Sequence, residues 1–177
     1  MTLIKDALQL ISAGFTIQLD EHGATPLGVL WKDGREQIER FEFLCRIIDD
    51  QLDHCTINDL GCGYGAFFSF LKDKPYMKNG RFFGYDICPE MIEKAQNMHG
   101  SDDRAFFEIL PFPNNMADYS FASGTFNMRA TASEESWTEF VKTSICEMYN
   151  KSKRGVAFNL LSQNNAQEEW LYYADVN

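Results

Sequence analysis

The sequence lacks the features of several specialised protein classes. No apolar run approaches the roughly 20 residues that a membrane-spanning helix needs, and the N-terminus lacks the charged-then-apolar order of a signal peptide. Basic residues are scarce, with 16 Lys and Arg against 26 Asp and Glu, so the formal net charge is −10. Binding to nucleic-acid phosphates needs clustered cations. We therefore expect neither a membrane nor a nucleic acid as a partner.

Cysteine and histidine occur without the spacing of a metal site or a disulfide framework. The five cysteines contain no CxxC pair, and the three histidines are isolated along the chain. No bound metal is therefore predicted. An odd number of unpatterned cysteines is typical of a reduced, cytoplasmic protein. With 177 residues, of which 45% are hydrophobic, the chain is long enough for one globular domain with its own core.

Strand and helix patterns alternate from residue 55 onward. Strands are predicted at residues 56–60, 81–85, 105–110, 119–123 and 155–161, and helices at 66–72, 89–98 and 134–150. Ser133 or Thr131 is a candidate N-cap for the last of these helices. The alternation predicts an α/β fold with a mostly parallel sheet. In such sheets a ligand binds outside the carboxyl ends of the strands.

Helices are also predicted on either side of this alternating region. Apolar spacing predicts a first helix over residues 2–13, which Gly14 would end, and a second over residues 35–53. Residues 165–174 are predicted to form a last helix, with Trp170 and Leu171 buried.

A glycine-rich turn follows the first predicted strand. Residues 57–66 read Ile-Asn-Asp-Leu-Gly-Cys-Gly-Tyr-Gly-Ala, so a strand runs into alternate glycines and then into a helix. Such glycines permit a tight turn and let a ligand lie against bare backbone. Gly61, Gly63 and Ala66 also satisfy the dinucleotide fingerprint G-x-G-x-x-G/A. A plain glycine-rich turn would explain the same residues, so the glycines alone leave the ligand open.

Two acidic residues help to distinguish between the candidate ligands. Asp59 lies two residues before Gly61, where its carboxylate would repel the pyrophosphate of a dinucleotide. S-adenosylmethionine carries an amine and a sulfonium and has no phosphate, so Asp59 favours it. Asp86 ends the next strand and can accept hydrogen bonds from ribose hydroxyls, while Ile87 can pack on adenine. Considered alone, Asp86 fits equally well as an acidic residue before the helix that Pro89 begins.

These segments resemble the motifs of class I S-adenosylmethionine-dependent methyltransferases. Asp59-Leu-Gly61-Cys-Gly63-Tyr-Gly65 resembles the first motif, and Gly84-Tyr-Asp86-Ile87 resembles the second. Residues 109–112, 117–124 and 153–159 resemble the later segments of the family in the same order, so the likeness covers about residues 55–162.

The resemblance implies a fold, a division of the chain and a cofactor. We expect a Rossmann-like, doubly wound sheet in the order 3-2-1-4-5 with helices on both faces. An N-terminal helical segment, residues 1–54, would cover the cofactor-binding part, residues 55–177, within one compact domain. The implied cofactor is S-adenosyl-L-methionine and the product S-adenosyl-L-homocysteine. The predicted cofactor-binding residues are Trp31, Gln37, Arg40, Asp59, Gly61, Cys62, Gly63, Asp86, Ile87, Leu110, Ser123 and Gly124.

The assignment of Arg40 depends on a helix upstream of the glycine loop. Trp31 and residues 37–41 resemble a lead helix of some superfamily members, in which a Gln and an Arg face the cofactor's carboxylate. The Arg40 guanidinium suits that role because it pairs bidentately with carboxylates. The alternative is a surface ion pair between Glu36 and Arg40 at i,i+4 spacing.

The implied reaction is in-line methyl transfer to a small-molecule acceptor, for which the sequence indicates no catalytic residue. The acceptor is expected near Tyr64, Asn127 and Arg129, although loop packing would explain each of these residues as well. Residues 124–128 lack the Asp/Asn-Pro-Pro-Tyr signature, which disfavours methylation of base amino groups. Two alternatives stay open: a non-catalytic S-adenosylmethionine- or S-adenosylhomocysteine-binding module or truncated methyltransferase domain, and, less favoured, an NAD-dependent oxidoreductase.

The chain has little room after the fifth predicted strand. Methyltransferases of this class usually continue there with a helix and an antiparallel strand pair, for which this sequence has no matching segment. One interpretation is that the chain is truncated. The fifth strand would then be an edge strand, and proteins normally cover such edges. The cover would come from Trp170 and its neighbours or from a second subunit in a homodimer.

Overall fold

The computed structural model describes residues 2–49, 51–163 and 168–175, and its centre is a parallel sheet of five strands. The strands are β1 (Thr56–Leu60), β2 (Arg81–Asp86), β3 (Ala105–Ile109), β4 (Ala117–Ala122) and β5 (Ser152–Phe158). Their spatial order is β3-β2-β1-β4-β5, and every neighbouring pair is parallel. The predicted order 3-2-1-4-5 is therefore confirmed. The winding reverses between β1 and β4, which creates a crevice at their carboxyl ends.

Helices cover both faces of this sheet. They are α1 (Thr2–His22), α2 (Gly34–Leu44), α3 (Ala66–Leu71), α4 (Pro89–His99) and α5 (Glu134–Asn150). Two of them begin at side-chain caps: the Asp33 carboxylate accepts a hydrogen bond from Glu36 N, and the Ser133 hydroxyl accepts one from Ser136 N. Of the two candidate N-caps for α5, Ser133 is the one the structure supports.

The core consists of two buried clusters, one on each face of the sheet, and residues of the same strands contribute to both. Ile57, Phe82 and Phe121 belong to a buried cluster that includes residues of α2 and α3. Leu60 and Tyr85 belong to a second cluster, which includes residues of α1 and α5. Since side chains alternate across a strand, the same short strands supply both clusters.

The first helix is longer than predicted. Gly14 does not end α1, which continues to His22 and is followed by Gly23 in a left-handed conformation with φ 66°. A glycine inside a helix costs only about 0.5–1 kcal/mol, and the packing of Ala7 and Ile11 in the core outweighs that cost. Helix α1 packs against both α4 and α5.

The second helix is shorter than predicted. Helix α2 ends at Leu44, a single 3₁₀ turn follows at Cys45–Ile47, and Ile48 is extended with φ −74° and ψ 130°. The apolar spacing extends beyond the helix because Ile48 still packs into the core cluster of this face. Periodicity thus identified the buried residues there but not the backbone conformation.

The predicted last helix is wrong over the residues that the structure describes. Glu169 and Trp170 form a turn, and Leu171 then makes an antiparallel bridge with Met128. Two short strands, β6 (Leu161–Ser162) and β7 (Tyr173–Ala174), pair in parallel. Leu171 is half-buried, and Trp170 is 45% exposed rather than buried. Residues 165–167 of the predicted helix lie outside the described residues.

Strand β5 is an edge strand in the described part of the chain, where its only ladder partner is β4. Trp170 and Leu171 bond with the loop that follows β4, and not with the β5 edge. The homodimer through this edge stays a prediction. None of the described helices is long and apolar enough to cross a membrane.

Candidate functional site

A cavity of about 600 Å³ lies at the carboxyl ends of β1, β2 and β4. All of the residues predicted from the sequence to bind a cofactor line this cavity. The structure therefore brings together segments that are far apart in the sequence, from Trp31 to Gly124. The position agrees with the crevice that the reversal of winding creates.

The glycine loop is held in a fixed shape beside the end of β2. Gly61, Gly63 and Gly65 have positive φ values of 75°, 54° and 84°, which favour glycine. The backbone N–H groups of Gly61 and Cys62 donate to the Tyr85 carbonyl over 2.7 and 3.0 Å. A Cβ atom at Gly61 would lie 2.5 Å from Thr125 Oγ1. The loop is thus shaped both by its own backbone and by the close approach of the loop after β4.

The need for glycine at position 61 can be tested by comparison with Gly14, which is not constrained in this way. Gly61→Ala is expected to lower the free energy of unfolding by about 1–3 kcal/mol, because alanine is strained at this φ and meets Thr125. Gly14→Ala is the control: it adds a methyl group in open space inside a helix and should raise that free energy by about 0.5–1 kcal/mol. Denaturant unfolding measures both. Equal stabilities of Gly61→Ala and the unsubstituted protein would contradict the described loop.

Asp59 is a buried acidic residue whose carboxylate accepts no hydrogen bond from the described residues. Its side chain is 2% exposed and lines the cavity, and no hydrogen-bond donor of the described residues reaches its carboxylate. Burial, together with the nearby Asp86 charge, raises the pKa of Asp59 from 3.8 to about 8. A buried group in this condition gains from a ligand that brings a positive charge or a donor.

Asp86 differs from Asp59 because it anchors two backbone segments. Its carboxylate oxygens accept hydrogen bonds from Gly63 N at 2.8 Å and from Cys88 N at 2.9 Å. Burial raises the pKa of Asp86, and these two backbone bonds partly offset the effect. Asp86 thereby ties the glycine loop to the start of α4, and its carboxylate keeps lone pairs that can face the cavity.

Cys62 contributes backbone rather than a reactive side chain. Its thiol packs in the buried cluster beneath the loop, close enough to Gly84 that a Cβ atom there would lie 2.9 Å from Sγ. Burial raises the pKa of the Cys62 thiol well above its ordinary value. The thiol is therefore a packing group.

The start of α2 forms another wall of the cavity. Gln37 is buried and hydrogen-bonds with the Tyr64 phenol, whose pKa burial raises. Arg40 is exposed and lines the cavity, and none of the ion pairs among the described residues involves it. The ion pair on this helix joins Arg35 to Glu39 at 2.8 Å, not Glu36 to Arg40. Arg40 is thus available to an anionic group in the cavity.

The end of β4 and the loop beyond it carry unpaired polar atoms. Ser123 Oγ and Asn127 Oδ1 are buried and have no hydrogen-bond partner among the described residues. Both side chains belong to residues that line the cavity. Gly124 N donates to Asn159 Oδ1 at 2.9 Å, which fixes the turn beside Trp31. Buried polar atoms without partners are uncommon, so these two oxygens indicate where a ligand would bind.

The expected acceptor residues do not all lie together. Tyr64 and Asn127 line the cavity. Arg129 is not among the lining residues, because its guanidinium donates to the carbonyls of Leu171 and Ala132. These bonds favour the loop-packing interpretation of Arg129.

Sequence reasoning missed two groups of lining residues. Helix α1 contributes Leu8, Ile11 and Phe15, and the C-terminal segment contributes Trp170 and Leu171. The α1 residues are spaced so that they share one helical face. Leu8 and Ile11 lie within the predicted helix, whereas Phe15 was excluded when Gly14 was taken as its end. Trp170 and Leu171 were instead expected to be buried in a last helix, and nothing in the sequence related them to the cavity.

Comparisons with known proteins agree with this geometry. A family model described as "Methyltransferase domain" matches residues 57–151. A Mycobacterium tuberculosis protein named "Putative methyltransferase Rv1506c" is 34% identical over 126 residues, which cover 70% of this chain and 75% of that protein.

Solved structures share the fold. Magnesium protoporphyrin IX methyltransferase from Synechocystis PCC 6803, solved with bound SAH, superposes with a TM-score of 0.59 at 12% identity, over 80% of this chain and 67% of that one. Coclaurine N-methyltransferase, solved with N-methylheliamine and SAH, gives a TM-score of 0.51 at 18% identity. That match covers 69% of this chain and 35% of coclaurine N-methyltransferase, so this chain spans about a third of its length.

Proposed function

This chain belongs to the methyltransferase domain family, and we propose that it binds S-adenosylmethionine and transfers its methyl group in line to a small-molecule acceptor. The observation that carries the proposal is the buried Asp59 carboxylate, which lines the cavity and receives no hydrogen bond from the described residues. An ammonium group would stabilise the ionised carboxylate and pair with it, whereas the negative charge of a pyrophosphate would oppose its ionisation.

The cavity offers complementary groups along its length. Asp59 would hold the amino group and Arg40 the carboxylate of the methionine part, so the two protein charges match a zwitterion. Asp86 would accept hydrogen bonds from the ribose hydroxyls. Ile87 and Leu110 would pack on the adenine. The positive-φ glycines leave room for the ligand to lie against the loop backbone.

Catalysis at such a site depends mainly on alignment. When bound, S-adenosylmethionine supplies a methyl group on a sulfonium, which is already a good leaving group. The task of this chain is then to orient the two reactants and to exclude water. Buried Phe126 and Trp137 line the cavity and provide apolar walls for that purpose.

The two alternative functions make different demands on the cavity. An NAD-dependent oxidoreductase would place a pyrophosphate beside the glycine loop and Asp59, where the buried carboxyl offers the anion no positive charge. A non-catalytic binding module would use the same cofactor contacts but transfer no methyl group. The apolar part of the cavity beyond the cofactor residues favours an enzyme, because a module has no need of a second binding region.

Titration calorimetry with three ligands tests the proposal. S-adenosylmethionine and S-adenosylhomocysteine are expected to bind, and NAD is expected to bind at least about tenfold more weakly, which corresponds to about 1.4 kcal/mol. NAD binding without S-adenosylmethionine binding would overturn the proposal. Binding of S-adenosylmethionine with no methyl transfer to any small molecule would support the non-catalytic module.

A further inference from the structure

The cavity wall is divided into a charged half and an uncharged half. The charged side chains that line it are Lys32, Glu36, Arg40, Asp59 and Asp86. All of them come from the loop before α2, from α2 itself, or from the ends of β1 and β2. The described lining residues of α1, and those that follow β2, include no charged side chain. The charged half contains the charged groups assigned above to the cofactor. Four residues of the uncharged half are assigned to it as well, namely Ile87, Leu110, Ser123 and Gly124. The lining residues of α1, of the loop beyond Gly124 and of the C-terminal segment are left for the acceptor.

Two buried polar atoms in the uncharged half have no hydrogen-bond partner among the described residues, and one of them lies outside the part assigned to the cofactor. Thr125 Oγ1 donates to the Leu60 carbonyl at 2.7 Å, and the Tyr173 hydroxyl accepts from Glu168 N at 3.3 Å. Ser123 Oγ is unpaired, but this residue adjoins Gly124 in the part assigned to the cofactor. Asn127 Oδ1 is also buried without a partner and lies farther along the loop after β4. It can accept a hydrogen bond and cannot donate one.

The loop that carries Asn127 is held in place by the C-terminal segment. Tyr172 N donates to the Asn127 carbonyl at 2.8 Å, and Arg129 N donates to the Trp170 carbonyl at 3.0 Å. These backbone bonds fix Asn127 without using its side-chain oxygen. The same segment places Trp170 and Leu171 in the cavity wall. The unpaired oxygen and this apolar surface therefore belong to one rigidly connected unit.

The composition of the uncharged half restricts the acceptor nucleophile. An acceptor that enters with a charge would find no protein counter-charge among the described lining residues of this half, which is costly. An alcohol or a thiol must lose its proton as it is methylated, and the described residues of this half include no carboxylate or imidazole to act as a general base. A neutral amine needs no base, and its N–H can donate to Asn127 Oδ1.

We propose that the acceptor is a small apolar molecule bearing a neutral amine, whose N–H donates to Asn127 Oδ1 and whose body packs between α1 and the C-terminal segment. The proposal rests on the proposed function. The carbon–nitrogen bond forms as the carbon–sulfur bond of the sulfonium breaks, and the sulfur keeps the electron pair. The positive charge thereby passes from the sulfur to the nitrogen, so the number of charges in the cavity does not change. The methylated ammonium releases its proton to water after it leaves the cavity. The apolar face of α1, Leu8, Ile11 and Phe15, lines the cavity together with Trp170.

A matched panel of acceptors tests the class of molecule. Radioactive methyl transfer from S-adenosylmethionine would be measured at pH 9 with hexylamine, benzylamine, 2-phenylethylamine and tryptamine. The corresponding alcohols and the polar amines ethanolamine and glucosamine are the comparison sets. At least one apolar amine is expected to be methylated about tenfold faster than every member of the comparison sets. Faster methylation of an alcohol or of a polar amine, or no methylation of any apolar amine, would overturn the proposal.

Two substitutions test the residues. Asn127→Leu keeps the branched shape of the side chain and the backbone bonds, and it should reduce kcat/KM for the best apolar amine by about tenfold. Asn97→Leu, an exposed asparagine on α4, is the control and should change nothing. Trp170→Ala should raise KM for the same amine about tenfold with little change in kcat, and Tyr149→Ala, an exposed aromatic residue on α5, is its control. Unchanged kinetics in both Asn127→Leu and Trp170→Ala would overturn the proposal.

A binding measurement separates this inference from the proposed function. Calorimetric titration of 2-phenylethylamine into the protein saturated with S-adenosylhomocysteine is expected to show binding that Asn127→Leu weakens and Asn97→Leu does not. If S-adenosylhomocysteine binds normally to all variants but no apolar amine binds or reacts, the acceptor inference alone fails. If S-adenosylhomocysteine itself does not bind, the proposed function fails with it.

Discussion

Asp59→Asn is expected to weaken S-adenosylmethionine binding about 10- to 150-fold. The physical reason is that a hydrogen bond to a charged group is worth about 1.5–3 kcal/mol, and the carboxylate would be the partner of the ligand's ammonium group. The substitution keeps the shape of a side chain that is 2% exposed, so packing should not change. Titration calorimetry measures the effect. Asp53→Asn, at an exposed position before β1, is the control and should bind as the unsubstituted protein does.

The same substitution should stabilise the protein in the absence of ligand. The pKa of Asp59 is about 8 in the folded protein, against an ordinary value of 3.8. Between these values the unfolded chain releases the proton while the folded chain retains it, so the free energy of unfolding decreases as pH rises. Below pH 3.8 the carboxyl is protonated in both states, and above pH 8 the full cost of the buried charge applies.

Denaturant unfolding at pH 5 and pH 9 measures this effect. At pH 9 Asp59→Asn should have the greater free energy of unfolding, by an amount on the order of 2 kcal/mol or more. Its stability should also depend less on pH than that of the unsubstituted protein. A variant that lost both affinity and stability would show that Asp59 supports the fold and would remove the main observation behind the proposed ligand.

The sequence predicted the sheet well because its signals are local. Each strand is a short β-branched or aromatic run, and β1 and α5 begin and end where the pattern indicates. Parallel strands joined by helices permit few topologies, and the resemblance to class I methyltransferases indicated which of these orders to expect. The helix ends were less predictable: Gly14 lies inside α1 because core packing outweighs the local preference of glycine for helix ends.

Only some of the residues that line the cavity could be predicted from the sequence, and there is a physical reason why the others could not. The ends of β1, β2 and β4 carry residues whose placement follows from topology, so Asp59, Asp86 and Ser123 could be expected to meet. Trp170 reaches the cavity through backbone bonds between Arg129 N and the Trp170 carbonyl and through the Leu171 bridge. Such irregular pairing leaves no periodic pattern in the sequence, so the acceptor half of the wall had to be found in the structure.

Asp86→Ala should weaken S-adenosylhomocysteine binding about 10- to 150-fold and also destabilise the fold. The loss of affinity corresponds to about 1.5–3 kcal/mol for charged hydrogen bonds to the ribose. The loss of stability arises because Gly63 N and Cys88 N, which donate to this carboxylate at 2.8 and 2.9 Å, would lose their partner. An unsatisfied buried donor costs about 1–3 kcal/mol. Calorimetry and denaturant unfolding measure the two effects, with exposed Glu93→Ala on α4 as the control.

Asp86→Asn separates these two roles of Asp86. An asparagine has one carbonyl oxygen and one amide nitrogen, so it can accept from either Gly63 N or Cys88 N but not from both through separate oxygens. Its stability should therefore lie between those of Asp86→Ala and the unsubstituted protein. Unchanged affinity in Asp86→Ala would show that the ribose lies elsewhere in the cavity. The opposite signs expected for stability, a gain in Asp59→Asn and a loss in Asp86→Ala, follow from one difference: Asp86 has backbone donors, whereas Asp59 depends on the ligand for its partner.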